Sequence, residues 1–452
     1  VAGQGYPMIS LLIRSAQRTS DPDGRSSATD ILIRDGWIAA ISSDSPLPSV
    51  PGVPELDARH CAVSTGFFDL HVHLREPGQS HKETITTGTR AAARGGFTRI
   101  ACMPNTRPVL DDPDTLRMLS ARLSEEAVIS VDVIAAVTHG SQGEALTDFA
   151  ALARAGAMAL SDDGRGIQRA SVMRLALAEA AKVGLPIFAH CEDESLSQKG
   201  VIHEGVTAHD RCLIGIPSES EAVHVARDIV LAEQSGAHYH VCHLSSAQSL
   251  QLVRDAKHRG LRVTCEVTPH HLLLCDHDIV GDDGNFKMNP PLRTKADREA
   301  LVAGLSDGSI DVIATDHAPH TVSEKSRGLL HAPFGVIGLE TAFPLLYTEL
   351  VLRDRLTLSR LLELLALRPY TLMNRKPPQL AVGQPADLVL LDLQTARPVT
   401  ASELRSRSSN TPFFHRLLRG WPVLTLASGR VAYSGLDTVA EMPLSASTAD
   451  TV

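Results

Sequence analysis

The chain has 452 residues, of which 43% are hydrophobic and 21% charged, with a formal net charge of -9 and a pI near 6.1. A chain of this length and apolar content can bury a large core, so we expect one large globular domain and a smaller one. The acidic balance offers no field for a polyanion, and the sequence has neither a run of about eighteen apolar residues nor the residue order of a signal peptide. We therefore expect no nucleic-acid partner and no membrane insertion.

Seven cysteines are spread along the chain, mostly within apolar runs, and no two of them form a Cys-x-x-Cys pair. The odd number and wide spacing favour buried thiols over disulfides or a thiolate metal site. Such usage is typical of a reducing compartment, so we expect a cytoplasmic protein; the cysteines are Cys61, Cys102, Cys191, Cys212, Cys242, Cys265 and Cys275.

Both ends of the chain carry short alternating apolar runs separated by turn-forming residues, as in residues 31–34 and 386–392. Two β segments that flank a different middle suggest a composite domain, since chain termini often lie close together. We predict a small β-sandwich domain built from residues 1–65 and 379–436, followed by a mobile tail over residues 437–452.

Residues 66–378 alternate between apolar, strand-like runs and alanine-rich helical segments such as 171–183, 219–235 and 246–259. Eight such units favour an α/β fold, a (β/α)8 TIM-like barrel, whose active site lies at the carboxyl ends of its strands. The predicted strands are residues 67–73, 99–104, 129–137, 157–161, 186–190, 238–243, 262–268 and 311–316.

Five of these strands end in histidine or aspartate, which is unexpected for a purely structural barrel because polar groups there must be solvated or paired. In the first strand the two histidines are two residues apart and face the same side. The residues are His71, His73, Asp162 or Asp163, His190, His243 and Asp316. Four imidazoles with two carboxylates exceed one tetrahedral zinc site and favour a metal pair, which suits hydrolysis of an amide-like bond.

Seven motifs in order along the chain resemble those of the bacterial long-chain (type I) dihydroorotases of the amidohydrolase superfamily. They are His-Val-His-Leu-Arg-Glu-Pro-Gly (71–78), Met-Pro-Asn-Thr (103–106), Ser-Asp-Asp-Gly (161–164), Ala-His-Cys-Glu-Asp (189–193), Met-Asn-Pro-Pro-Leu-Arg (288–293), Ala-Thr-Asp-His-Ala-Pro-His (314–320) and Ala-Pro-Phe-Gly (332–335). The resemblance, which extends from about residue 30 to about residue 430, implies zinc-dependent, reversible cyclisation of N-carbamoyl-L-aspartate to (S)-dihydroorotate in pyrimidine biosynthesis.

The resemblance also implies roles for the strand-end residues. It assigns His71 and His73 to one zinc and His190 and His243 to the other, for two zinc ions per chain. Asp163 would bridge them, with Asp162 as the alternative, where many superfamily members use a carboxylated lysine. Asp316 would contact a metal and act as general acid and base.

The same resemblance implies contacts to an anionic substrate. Arg75, Asn105 and His320 would hold its free carboxylate, because an anion requires fixed cationic or amide donors. Asn289 and the backbone around Phe334 and Gly335 would contact the amide edge of the ring. Structural alternatives stay open: Arg75 could cap a helix, and Asn105 and Asn289 adjoin prolines and could simply form turns.

Two other functions fit the sequence less well. Another cyclic amide hydrolase, such as a hydantoinase, dihydropyrimidinase or allantoinase, is expected to carry the lysine bridge and to lack Arg75. A noncatalytic scaffold for aspartate carbamoyltransferase is expected to have lost metal ligands. We expect a homodimer, and association with the transferase stays open. Residues 321–332 form either a lid or an ordinary solvated loop.

Overall fold

The computed structural model describes residues 8–18 and 27–436, so the predicted tail over residues 437–452 lies outside the described part of the chain. Within that part, none of the helices is long and apolar enough to cross a membrane.

Eight parallel strands form the central sheet in chain order, as the sequence predicts, and neighbouring strands pair along the whole path. The strands are Phe67–Val72, Phe97–Cys102, Ser130–Ala135, Ala157–Leu160, Ile187–Ala189, Tyr239–Val241, Val263–Val267 and Val312–Ile313. A parallel bridge between Val72 and His317 and a 2.9 Å hydrogen bond from the His73 N–H to the His317 carbonyl join the segment after the last strand to the end of the first. The predicted TIM-like barrel is therefore confirmed.

Helices cover the outer face of this barrel, which explains why its strands are buried on both faces and appear in the sequence as continuous apolar runs. The longer helices are Ile85–Arg94, Pro113–Glu126, Phe149–Arg154, Ala170–Val183, Glu219–Ser235, Ala247–His258 and Lys295–Asp307. Their ends follow local chemistry: Asp112 accepts hydrogen bonds from the N–H groups of Asp114 and Thr115, and Gly184 ends its helix at a φ of 72°.

Shorter helical segments fill the loops and the last barrel unit. The α-helical ones are Glu194–Ser197, Val206–Asp210, Pro269–Leu273, Val322–Lys325, Gly328–His331, Ala342–Leu346, Leu358–Leu362 and Arg368–Leu372. Single turns of 3-10 helix lie at His139–Ser141, Asp276–Asp278, Gly284–Phe286 and Ala401–Glu403, and π-helical turns lie at Tyr347–Val351 and Glu363–Leu367.

Strands from both ends of the chain form a second, mixed sheet, as predicted. In sheet order they are Arg430–Ser434, Trp421–Ala427, Leu388–Asp392, Cys61–Thr65, Leu11–Arg18, Ser27–Arg34 and Trp37–Ser42, while Glu55–Asp57 pairs with Leu11–Arg18. These described strands belong to one continuous sheet rather than to two. Two small ribbons complete the fold: Ile202–His203 with Gly215–Ile216, and Arg397–Pro398 with Leu417–Leu418.

The central strands of the mixed sheet contribute side chains to two different hydrophobic cores. Val63 and Leu390 face a core that belongs to this sheet, whereas Ala62 and Leu391 pack into the core of the barrel. The period of two along each strand thus divides the apolar side chains between two cores and fixes the sheet on the barrel. The domain boundaries near residues 65 and 379 stay a prediction.

Most of the predicted buried thiols are buried. Cys102, Cys191, Cys242, Cys265 and Cys275 are buried and free, whereas Cys61 is half-buried and Cys212 is exposed. Cys191 lies next to His190, yet its sulfur lies 3.2 Å from the hydroxyl oxygen of Tyr239, and burial raises the pKa of its thiol well above the ordinary value. A buried thiol with a raised pKa is unreactive, so this environment indicates a structural role for Cys191.

Candidate metal centre

The six predicted ligands come together at the carboxyl end of the barrel. The two histidines lie at the end of the first strand, and each of the others follows the fourth, fifth, sixth or eighth strand within three residues. They are His71, His73, Asp163, His190, His243 and Asp316, and all six side chains are buried.

Asp163 lies between two pairs of imidazoles. Its carboxylate oxygens are 3.4 Å from Nε2 of His71 and 3.5 Å from Nε2 of His73. On the other side its Oδ1 is 3.6 Å from Nε2 of His243 and 4.0 Å from Nδ1 of His190. Asp163 forms one trio with His71 and His73 and a second trio with His190 and His243. The ligand atoms of each trio lie within 4.8 Å of one another, so Asp163 is shared by two potential metal sites.

Asp316 belongs to the side of the first histidine pair. Its Oδ1 lies 3.0 Å from Nε2 of His73 and 3.4 Å from Nε2 of His71. Together with His243 it forms a further possible metal-binding group around His71. The carboxylate can therefore reach a cation held by this pair and a substrate that approaches it.

The centre is short of positive charge. Nε2 of His71 and Oδ1 of Asp163 are buried without a hydrogen-bond partner, although buried polar atoms are normally paired. Burial disfavours a charged imidazole, yet the negative charges of Glu266, Asp163 and Asp316 outweigh burial and raise the pKa of His71 well above its ordinary value. Imidazole nitrogens and carboxylates around such a region are the donor set that zinc prefers, so these residues fit a divalent metal.

Glu266, on the seventh strand, is a site residue that the sequence prediction did not include. Its fully buried carboxylate lies 2.6 Å from Nδ1 of His71 and 3.2 Å from Nε2 of His240, and it accepts the backbone N–H of His243. Burial alone would raise the pKa of Glu266, but the charge of His71 lowers it to about 2. The signal in the sequence is a single carboxylate within an apolar strand.

Glu192 was also missed, although it lies within one of the quoted motifs. Its carboxylate accepts a 2.6 Å hydrogen bond from the side-chain amide of Asn289 and lies 3.3 Å from Nε2 of His190. Asn105 makes a similar contact on the other side, where its amide oxygen lies 2.9 Å from Nδ1 of His73. Both residues orient an imidazole through the nitrogen that faces away from the centre.

Asp162, the alternative to Asp163, has a structural place. Its carboxylate accepts hydrogen bonds of 2.9 and 3.0 Å from the backbone N–H groups of Val137 and Thr138. It belongs to none of the possible metal-binding groups in the described residues. The hydrogen bonds to the backbone therefore account for the buried Asp162 carboxylate, and the geometry favours Asp163 as the bridging ligand.

A cavity of about 200 Å³ opens beside the centre, and every predicted substrate contact lines it: Arg75, Asn105, Asn289, His320, Phe334 and Gly335. No lysine is among the described residues that line it. A larger cavity of about 550 Å³, lined by residues that include Arg18, Thr65 and Leu362, contains none of the metal-binding groups.

Arg75 is buried beside this cavity rather than capping a helix. Its Nε donates to the Pro319 carbonyl at 3.1 Å, and its Nη2 lies 3.2 Å from Nε2 of His320. Burial lowers the pKa of Arg75 to about 10, so the guanidinium still carries its charge at neutral pH. A buried, charged guanidinium of this kind suits an anionic ligand.

Three site residues have a left-handed backbone, which non-glycine residues rarely adopt. The φ angles are 63° at Arg75, 32° at His243 and 47° at Asp316. Such conformations cost free energy and persist where the surrounding structure imposes them, commonly at functional sites.

The segment over residues 321–332 is ordered into two short helices, Val322–Lys325 and Gly328–His331. The buried Lys325 ammonium donates to the carbonyls of Lys287, Pro333 and Gly335 at 3.0, 3.0 and 2.8 Å. This anchor lies next to the cavity. Whether the segment moves as a lid stays a prediction.

A parallel eight-stranded barrel with shared histidine and aspartate clusters at the carboxyl ends of its strands defines a metal-dependent hydrolase of the amidohydrolase fold. The L-hydantoinase (dihydropyrimidinase) from Arthrobacter aurescens has a similar structure, with a TM-score of 0.83 and 26% sequence identity over 94% of this chain and 96% of that chain.

Comparison with known sequences indicates which family within this class of hydrolases the chain resembles. The model of the family described as Dihydro-orotase-like matches residues 62–249. The chain is 52% identical to a dihydroorotase of Geobacillus sp. (strain WCH70), over 92% of this chain and 97% of the relative. It is 51% identical to a dihydroorotase of Bacillus caldolyticus, over 91% of this chain and 96% of the relative. The chain belongs to the dihydroorotase family.

Proposed function

We propose that this chain catalyses the reversible cyclisation of N-carbamoyl-L-aspartate to (S)-dihydroorotate in pyrimidine biosynthesis. The observation that carries the proposal is the charged Arg75 guanidinium, buried beside the shared Asp163 cluster in a cavity of about 200 Å³. Dihydroorotate has a cyclic amide and a free carboxylate, and the cavity offers a partner for each. The family membership supports the same activity.

The metal assignments are part of the proposal. His71 and His73 would hold one zinc ion, and His190 and His243 would hold a second, with Asp163 shared between them. The short distances within each trio and the unpaired buried atoms of His71 and Asp163 support this assignment. Bound zinc would lower the pKa of water towards about 7 and polarise the carbonyl of the scissile amide.

Asp316 would carry the proton of the reaction. In the hydrolytic direction its carboxylate would accept the proton of the attacking water and return it to the leaving ring nitrogen. Its position within 3.0 Å of the His73 imidazole and on the wall of the cavity supports this role.

Substrate orientation falls to the residues that line the cavity. Arg75, Asn105 and His320 would hold the free carboxylate, and Asn289 and the backbone of Phe334 and Gly335 would contact the amide edge of the ring. Fixed donors of this kind hold the reacting carbonyl in one position, which accounts for a large part of enzymatic rate enhancement.

A second candidate is hydrolysis of a different cyclic amide, which the fold similarity to L-hydantoinase favours. Two features favour dihydroorotate: Asp163 stands where a carboxylated lysine is expected in such enzymes, and Arg75 lines the cavity. A noncatalytic scaffold fits less well because all six predicted ligands are present and grouped. A homodimer and a cytoplasmic location belong to the proposal, and association with aspartate carbamoyltransferase stays open.

The test measures zinc per chain by elemental analysis and hydrolysis of dihydroorotate by ultraviolet absorbance on one preparation. Hydantoin and allantoin serve as control substrates. Near two zinc ions per chain with selective turnover of dihydroorotate is the expected result. Metal with turnover of a control substrate, but none of dihydroorotate, would contradict the proposal.

Arg75→Ala provides a residue-level test of the same proposal. Hydrogen bonds to charged groups contribute about 1.5–3 kcal/mol, so we expect KM for dihydroorotate to rise about 10- to 100-fold. The matched control is Arg90→Ala, because Arg90 is exposed on the nearby helix Ile85–Arg94. Unchanged KM in Arg75→Ala would remove this residue from the carboxylate site.

A further inference from the structure

One asparagine from the C-terminal part of the chain connects the two loops that line the cavity. Asn410 lies in the segment between the ribbon strands Arg397–Pro398 and Leu417–Leu418, and only 3% of it is exposed. Its side-chain oxygen accepts the backbone N–H of His320 at 3.0 Å. Its side-chain NH2 donates to the carbonyls of Ala318 and Gly335, both at 3.0 Å.

The backbone of Asn410 adds a fourth bond, because its carbonyl accepts the N–H of Ile337 at 2.9 Å. The three side-chain bonds use both hydrogens and the oxygen of the side-chain amide. One loop supplies His320 and the other supplies Gly335, and the asparagine holds both at a fixed separation.

The separation of these loops is tight. Gly335 has a φ of 130°, and a Cβ atom there would lie 2.7 Å from Cβ of Ala318. The His320 imidazole meets the second loop directly, with its Nε2 2.8 Å from the carbonyl oxygen of Phe334. A small shift of either loop therefore changes the position of His320 relative to Arg75, whose Nη2 lies 3.2 Å from the same nitrogen.

The segment that carries Asn410 is itself anchored by two buried carboxylates. Glu83 accepts the N–H of Arg407 at 2.9 Å, and Glu340 accepts the N–H of Arg405 at 2.9 Å. These contacts hold the segment against the barrel without the side chain of Asn410, so that side chain extends from a backbone that is already fixed.

We propose that Asn410 is a positioning residue that sets the geometry of the subsite for the substrate carboxylate by holding the His320 loop and the Phe334–Gly335 loop together. The inference rests on the proposed function, since it assigns the carboxylate of dihydroorotate to His320 and its neighbours. Asn410 contacts these loops and not the metal-binding trios, so it affects substrate binding more than the chemical step.

Two variants test this role. Asn410→Ala removes all three side-chain hydrogen bonds, whereas Asn410→Asp keeps the size and the acceptor for His320 but places a carboxylate oxygen against the two carbonyls. Ser409→Ala is the matched control, because Ser409 adjoins the same position and none of the hydrogen bonds described for this segment involves its hydroxyl. The readouts are kcat and KM for dihydroorotate, zinc content and the thermal midpoint.

We expect KM to rise about tenfold or more in both Asn410 variants, with kcat within about threefold of wild type and zinc content unchanged. A purely structural role would lower the folded fraction, and so the apparent kcat, without a change in KM. Unchanged KM in the Asp variant, or equal effects in Ser409→Ala, would overturn the inference. A wild-type protein without dihydroorotate turnover would overturn the proposed function and this inference with it.

Discussion

At the scale of single residues, the buried carboxylate of Glu266 contacts the imidazoles of two histidines and the backbone of a third. It contacts Nδ1 of His71 and Nε2 of His240 and accepts the N–H of His243. A carboxylate on Nδ1 fixes the tautomer of His71, directs its Nε2 towards Asp163 and makes that nitrogen a better donor.

Glu266→Gln is therefore expected to weaken zinc binding about 10- to 100-fold, since loss of such an outer partner has effects of that size. The affinity is measured by competition with a chromogenic chelator, which needs no enzyme assay. Glu125→Gln is the control because Glu125 is exposed. Equal zinc affinity in wild type and Glu266→Gln would show that Glu266 does not support the centre.

Asp316→Asn addresses the proton carrier. The variant keeps the size of the side chain but cannot accept the proton of the attacking water, so we expect kcat to fall about 10²- to 10⁴-fold. Zinc content is expected to stay largely intact because His71, His73 and Asp163 remain. Elemental analysis and the ultraviolet assay measure both quantities, and an active variant would refute the assignment.

The sequence predicts which histidines and aspartates come together better than it predicts the residues that contact them, for a physical reason. His71 lies at the carboxyl end of one apolar strand and Asp316 lies just beyond another, and parallel strands bring such positions to one end of a barrel. The supports act across long separations: Glu266 lies 195 positions from His71, and Asn410 lies 90 from His320. Their contacts depend on the packing of side chains, which a pattern along one segment does not record.

At the scale of elements, the closure of the barrel depends on Asp69 in the first strand. Its buried carboxylate accepts the N–H of Thr315 at 3.1 Å and its hydroxyl at 2.6 Å, and the N–H of His71 at 3.0 Å. The eighth strand, Val312–Ile313, is only two residues long. Side-chain hydrogen bonds therefore join these two strands where few backbone pairs exist.

Asp69→Ala leaves several buried donors without a partner, each at a cost of about 1–3 kcal/mol. We expect the urea midpoint of the zinc-loaded protein to fall markedly, by the equivalent of at least about 2 kcal/mol. Circular dichroism follows the unfolding, with the exposed Asp44→Ala as control. If both variants unfold at the wild-type midpoint, Asp69 does not hold the closure together.

The elements themselves were largely predictable, whereas their pairing in the second sheet was not. Barrel strands are buried on both faces and give continuous apolar runs, so all eight were recognised. The terminal strands were recognised from alternation, but that pattern does not say which strands pair. The pairing of Cys61–Thr65 with Leu388–Asp392 joins the strands from the two ends of the chain into one sheet.

At the scale of the whole molecule, metal binding and folding are linked. The two trios draw ligands from the first, fourth, fifth and sixth strands, so an ion bound there requires most of the barrel to be folded. Free metal at about 100 times its dissociation constant stabilises the folded state by about 2.7 kcal/mol per site.

Removal of zinc with a chelator should therefore lower the thermal midpoint, and added zinc should restore it. Differential scanning calorimetry of the apo and reloaded protein measures the shift. The control is the same chelator saturated with zinc, which separates metal loss from other effects of the reagent. An apo protein that melts at the midpoint of the reloaded one would show that the site contributes nothing to stability.

The mixed sheet has a consequence for synthesis on the ribosome. The strand Cys61–Thr65 pairs with Leu388–Asp392, which emerges 327 residues later. At about 5–20 residues per second, the earlier strand waits roughly 15 to 65 s for this partner. During that time one edge of the N-terminal strands is unpaired and open to other nascent chains. The sheet whose strands are made first is thus completed last, after the barrel has been synthesised.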